Sequence, residues 1–114
     1  MQIQDLASRD CKTFEGGEPP LGQAEQKELA DQLAPGWRIV EGHHLEKEYE
    51  FEDFQEALDF TNEVGEIAEE QNHHPDIELG WGRVLVRLRT HKIEGLSEND
   101  FIVAAKADEA LLDG

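Results

Sequence analysis

The sequence predicts an α+β fold: a four-stranded antiparallel sheet covered on one face by three helices, in the order α-β-β-α-β-β-α. Three observations predict it. Residues 37–51 and 76–91 alternate polar and apolar side chains, the period of a sheet with one wet face. Residues 22–33, 54–71 and those from 97 onward space apolar side chains at helical intervals instead. Each strand pair is joined by a short glycine-containing turn, which makes neighbouring strands antiparallel and leaves one apolar sheet face for the helices to cover.

The first 20 residues contain "EGGEPP" and read as an N-terminal tail, followed by a single domain over 21–114. The first helix spans Gly22 to Leu33, with Leu29, Ala30 and Leu33 on one face and "APGW" as its stop. "WRIVEGHHLEKEYEF" gives two strands with a tight turn at Glu41-Gly42. In the second of them Leu45, Lys47, Tyr49 and Phe51 oppose His44, Glu46, Glu48 and Glu50. Asp53 with Glu56 starts a helix over 54–71, whose stripe is Phe54, Ala57, Leu58, Thr61, Val64 and Ala68. "DIEL" is a short strand, "GWG" a turn, and "RVLVRLRTH" the longest strand, with His91 closing it on the polar side. "SEND" at 97–100 caps a third helix with Phe101, Ala104, Ala105, Asp108, Leu111 and Leu112 at helical spacing.

At 114 residues the chain is one domain that buries well over half of its unfolded surface without help from disulfides. Its single cysteine, Cys11, points to a reducing compartment. The longest apolar run, Phe101 to Ala105, falls far short of the roughly 20 residues of a membrane span, and "MQIQDLASRDC" lacks the pattern of a secretory signal. A cytoplasmic protein is the expectation. With 27 Asp and Glu against 10 Lys and Arg, the net charge is −17, which repels a phosphate backbone and excludes direct nucleic-acid binding.

Five histidines are the main chemical resource. His43 and His44 fall on a wet hairpin among glutamates and are assigned no chemistry. His73, His74 and His91 each sit at the end of an element, where sites are commonly built. Adjacent residues in an extended segment point apart, no second ligand is spaced to help and Cys11 is in the tail, so no metal site is expected. Imidazole titrates near neutrality, so histidines gathered at one pocket could donate and accept protons with no cofactor. Glu69, four residues before His73, is placed to fix that imidazole's tautomer if the helix persists. On the residues alone, the reading stops at a cofactor-free acid-base site or a polar binding pocket.

The stretch Glu69-x3-His73-His74-Pro75, then Trp81, His91 and Asp100 at matching intervals, resembles the signature of the pterin-4a-carbinolamine dehydratase family. "PGW" at 35–37 and "GLSENDF" at 95–101 are also similar, and the resemblance covers roughly residues 20–110. It implies dehydration of 4a-hydroxytetrahydropterin to quinonoid dihydropterin, in the recycling of the pterin used by aromatic amino acid hydroxylases. It further implies His73 and His91 as acid-base groups, His74 as a substrate holder, and Pro75, Thr90 and Trp37 around the pocket. Glu69 and Asp100 become orienting carboxylates. For Asp100 the plain reading is a capping-box carboxylate, and for Trp37 and Trp81 it is ordinary packing. Open sheet edges add the expectation of a homodimer or homotetramer. The alternative role is a dehydratase-like protein-binding module, either a transcription-factor dimerisation cofactor or an assembly factor for a carbon-fixing enzyme.

Overall fold

The computed structural model describes residues 6–113. Its elements are α1 (Gln23–Ala30), β1 (Arg38–Val40), β2 (His44–Glu50), α2 (Phe54–Gln71), β3 (Asp76–Gly80), β4 (Arg83–Leu88), a 3-10 turn at His91–Ile93, and α3 (Glu98–Asp113). The order is the expected α-β-β-α-β-β-α, and the four strands pair antiparallel as β1-β2-β4-β3. At the first hairpin Glu41 and Gly42 both take left-handed φ, 55° and 67°, and the His43 N–H donates to the Val40 carbonyl at 2.9 Å. That backbone twist matches the twist of the strands it joins.

Leu45 and Tyr49 of β2 and Val84, Val86 and Leu88 of β4 form the inner sheet face. Ala57, Phe60, Val64 and Ala68 of α2 close over it. This stripe is displaced from the predicted one. Phe54 is 43% exposed, while Phe60 is buried with its ring centroid 4.5 Å from that of Tyr49 and 5.3 Å from that of Phe51. The aromatic contact decides which face of α2 turns inward. In α3 every residue from Phe101 to Ala105 is buried, because the helix packs against α2 and α1 at once. Leu111 is 40% exposed, and the Leu112 side chain lies outside the described residues.

Lys47 also points inward, as its alternation with Leu45 and Tyr49 requires. Its Nζ reaches Asp108 of α3 at 2.8 Å, and the Tyr49 hydroxyl donates to the same carboxylate at 2.6 Å. Burial and that carboxylate together push the Tyr49 phenol well above its usual titration range. The outer face carries charge instead, with Arg87 donating to Glu46 at 2.7 Å and to Glu78 at 2.6 Å. Among the described residues no helix is long and apolar enough to cross a membrane.

Two parts differ from the sequence reading. The last strand ends at Leu88 rather than continuing to His91, so β2 is the longest strand. Thr90 leaves the ladder to bridge Gly95, with its N–H on the Gly95 carbonyl at 2.8 Å, and the chain between them folds into the 3-10 turn. The other difference lies in residues 6–20, expected as part of a tail; residues 1–5 are outside the described chain. Leu6 and Ala7 are buried in the core. The Cys11 N–H donates to the Gln71 side chain at 2.7 Å, and the Lys12 backbone is bracketed by Asn99, whose Oδ1 accepts at 3.0 Å and whose Nδ2 donates at 2.7 Å. Leu21 bonds the Leu96 carbonyl at 2.9 Å, and a Cβ on Gly95 would come within 2.8 Å of Pro20. The segment is packed onto the domain by apolar burial at one end and by side-chain brackets along its length.

Candidate active site

The end of α2 is built by backbone geometry. Asn72 is left-handed, with φ 53°, and donates its N–H to the Glu69 carbonyl, while the His73 N–H reaches back to Ala68 at 3.1 Å. This is a Schellman termination, which satisfies the last helical carbonyls and turns the chain sharply. Pro75 then holds His74 extended. The two adjacent histidines consequently go different ways. His73 is 9% exposed and its Nε2 lies 2.6 Å from Asp100 Oδ1. His74 is exposed, with its Nε2 2.5 Å from Glu69 Oε2.

Glu69 therefore does not orient His73, as its four-residue spacing suggested; the left-handed Asn72 breaks the helical register, and Glu69 meets His74. Asp100 takes the orienting position, and it is also a capping carboxylate. Its Oδ2 accepts the Ser97 N–H at 3.0 Å, which is the N-terminal box of α3, and the Thr90 hydroxyl at 2.9 Å. Ser97 Oγ lies 2.6 Å from Thr90 Oγ1 and accepts the Asn99 N–H at 3.2 Å. A fully buried carboxylate already serving two donors accepts a third from His73, which assigns a proton to Nε2 and, in the neutral ring, makes Nδ1 the acceptor.

A cavity of about 390 Å³ opens beside this network, within the size range of small-ligand sites. His73, His74, His91 and Thr90 line it. A further wall is formed by Cys11, Lys12, Thr13 and Phe14, together with Gln71 and Asn99, which hydrogen-bond the Cys11 and Lys12 backbone. Burial pushes the Cys11 thiol up to about 11, so it is a neutral wall group and not a nucleophile at neutral pH. Pro75 and Trp37 are not in the lining. Trp37 stands against Asp108, with Nε1 donating at 2.8 Å, and Trp81 is 73% exposed at the β3–β4 turn and packs no core. His43 and His44 are half-buried, edge to face, with their Nδ1 atoms 3.2 Å apart, and burial holds His44 below its usual titration point. Among the described residues no group of three or more His, Cys, Asp or Glu is placed to hold a metal ion.

The wall from 11 to 14 was missed in the sequence, although one signal of it was present. Gln71 falls on the buried stripe of α2 after Ala57, Phe60, Val64 and Ala68, and a polar side chain at such a position needs a buried partner.

The fold and the cavity define a small α+β protein with a histidine-lined cavity anchored on a buried aspartate. The family model described as pterin 4 alpha carbinolamine dehydratase matches residues 19–110, and the chain belongs to that family. A protein of Rubrobacter xylanophilus, provisionally named a pterin-4-alpha-carbinolamine dehydratase, is 55% identical over 106 residues, which is 93% of this chain and 98% of that one. One from Alkaliphilus metalliredigens with the same provisional name is 47% identical, over 94% of this chain and 96% of its own. Among solved structures, the transcriptional coactivator/pterin dehydratase of Brucella melitensis superposes with a TM-score of 0.74 at 32% identity, over 79% of this chain and 96% of that one.

Proposed function

We propose that this protein is a 4a-hydroxytetrahydropterin dehydratase, eliminating water to give the quinonoid dihydropterin. The observation that supports this reading best is the meeting of His73, His74 and His91 at one cavity, with Asp100 fixing the tautomer of His73. In the reaction the C4a–O bond breaks, the hydroxyl leaves as water with one added proton, the N5 proton is lost, and N5 and C4a become doubly bonded. His73, whose free acceptor is Nδ1, serves as the base for the N5 proton. His91, exposed in the 3-10 turn, protonates the departing hydroxyl, and His74, braced by Glu69, holds the substrate. The nitrogen lone pair at N5 assists expulsion of the hydroxyl, so general catalysis of about 10²–10⁴-fold per group is sufficient and no metal or nucleotide enters the scheme.

In this reading the protein is cytoplasmic, assembles as a homodimer or homotetramer, and works beside an aromatic amino acid hydroxylase that supplies its substrate. A second reading, a dehydratase-like module that binds another protein, has the coactivator half of the Brucella protein's title in its favour. The complete histidine set favours the enzyme. Stopped-flow absorbance of chemically generated 4a-hydroxytetrahydropterin tests it. His73→Ala and His91→Ala each slow turnover, the double variant approaches the uncatalysed rate, and His43→Ala behaves as wild type. Wild-type rates in the double variant would overturn the assignment.

A further inference from the structure

The charge lining the cavity is opposite to that of the chain. The chain holds 27 carboxylate side chains, yet the cavity is lined by no Asp or Glu, whereas Lys12 and Lys92 both line it. Seven of the ten basic residues stand in ion pairs: Arg9, Lys27, Arg38, Lys47, Arg83, Arg87 and Arg89. Lys106 gives its Nζ to the Ala7 carbonyl at 2.7 Å. Among the described residues Lys12, Lys92 and Lys106 have no carboxylate at ion-pair distance, and of these three Lys12 and Lys92 line the cavity. Glu18, whose charge couples to Lys92, accepts the N–H groups of Glu15 and Gly16. In so acidic a protein, two exposed ammonium groups that line a cavity with no carboxylate in contact are matched by an anion supplied from outside.

Both lysines are carried on fixed backbone. Asn99 brackets Lys12 from two sides, and the Thr90–Gly95 bridge closes the turn that holds Lys92. Lys12 Nζ lies 5.8 Å from the Phe14 ring centroid, a further restraint on that side chain. Lys92 directly follows His91. In a tetrahydropterin, C6 is bonded to N5, one of the two atoms whose bonding changes, so a C6 substituent starts beside the histidines and extends toward their neighbours.

We propose that Lys12 and Lys92 form a specificity subsite for an anionic C6 side chain, a carboxylate or a phosphate, on the pterin. The inference rests on the dehydratase reading for the ring and adds the class of side chain. Residues 10–14 precede the stretch matched by the family model, so Lys12 supplies selectivity from outside it. At about 0.15 M salt the Debye length is about 8 Å, so carboxylates beyond that distance are screened, while the two beside the cavity, Glu69 and Asp100, are engaged by His74 and His73. Exposed pairs of this kind contribute up to about fivefold each in affinity, and about tenfold together.

Pterin fluorescence gives dissociation constants for three stable probes: neutral 6-hydroxymethylpterin, pterin-6-carboxylate, and 6-hydroxymethylpterin phosphate. They are measured on the full chain, on the Lys12→Gln, Lys92→Gln double variant and on the corresponding double Arg variant, at 0.02 M and 0.5 M sodium chloride. An anionic probe binds wild type about tenfold more tightly than the neutral one at low salt. The preference shrinks at high salt, vanishes in the Gln variant and persists in the Arg variant; whether it attaches to the carboxylate, the phosphate or both identifies the source. Equal binding of all three probes, no pterin binding, or a preference that survives in the Gln variant would overturn the subsite. Turnover of a neutral 4a-hydroxytetrahydropterin without anion preference refutes the subsite and keeps the dehydratase. Anion-selective pterin binding without turnover of any 4a-hydroxytetrahydropterin does the reverse.

Discussion

Asp100→Asn separates the structural role of this carboxylate from its role toward His73. Asp100 is fully buried and accepts from the His73 imidazole at 2.6 Å, the Thr90 hydroxyl at 2.9 Å and the Ser97 N–H at 3.0 Å. Asparagine keeps the shape but offers one acceptor oxygen. If that oxygen stays on Thr90 and Ser97, the amide nitrogen faces His73 Nε2, and their contact survives only when the imidazole proton moves to Nδ1. Hydrogen bonds to a charged group contribute about 1.5–3 kcal/mol against about 0.5–1.5 for neutral ones, so the exchange costs roughly 2–3 kcal/mol in all. In a total stability of about 5–15 kcal/mol the variant still folds, with its melting midpoint lowered by roughly 10–15 °C. The tautomer change has a separate consequence: an aspartate-to-asparagine exchange that misplaces the imidazole proton can cost about 10⁴ in kcat with the geometry intact. Calorimetry gives the stability loss, and nitrogen-15 NMR of the ring reads the tautomer directly. A variant that melts like wild type and keeps the His73 proton on Nε2 would refute the network as described.

Three further outcomes follow from the same structure. Glu52, Asp53, Glu56, Asp59, Glu63, Glu66, Glu69 and Glu70 are all exposed along α2, and like charges at three- and four-residue spacing cost about 0.2–0.5 kcal/mol per pair at low salt. Raising sodium chloride from 0.01 M to 1 M shortens the Debye length from about 30 Å to about 3 Å and raises the melting midpoint; a flat or falling midpoint counts against the repulsion. The Cys11 thiol, pushed up to about 11 by burial, reacts with a disulfide reagent at pH 8 at least about tenfold more slowly than a free thiol, because the smaller thiolate fraction outweighs the greater nucleophilicity of a more basic thiolate. Because its folded value lies above its unfolded one of 9.0, its contribution to stability is full below pH 9 and is lost as pH rises to about 11. Labelling at the rate of a free thiol, or a Cys11→Ala variant with the same alkaline stability loss, contradicts this. The open edges at β1 and β3 and the exposed Trp81 and Phe54 predict a homodimer or homotetramer in light scattering, and a monomeric mass at micromolar concentration refutes it.

The sequence by itself determined the order of elements, because alternation and helical spacing are local properties and every helix and strand here except the three-residue β1 is long enough to display one of them. It determined the capping box of α3, since Ser97 and Asp100 are three residues apart and meet within one turn. The chemical stock of the site was legible in part for the same reason: His73, His74 and His91 were placed at element ends by periodicity, whereas Thr90 came only with the family resemblance. Which carboxylate serves which histidine was decided only in three dimensions. The left-handed Asn72 breaks the register that joined Glu69 to His73 on paper, and Asp100 arrives from 27 residues away. Trp37 and Lys47 were likewise settled by Asp108, 71 and 61 residues further along, whose buried charge gathers them to the core end of α3 and away from the cavity. The cavity's second wall depends on contacts spanning 60 residues from Cys11 to Gln71 and 87 from Lys12 to Asn99. Such pairings leave no period in the sequence, because their partners become neighbours only once the apolar faces of α2 and α3 have been buried together.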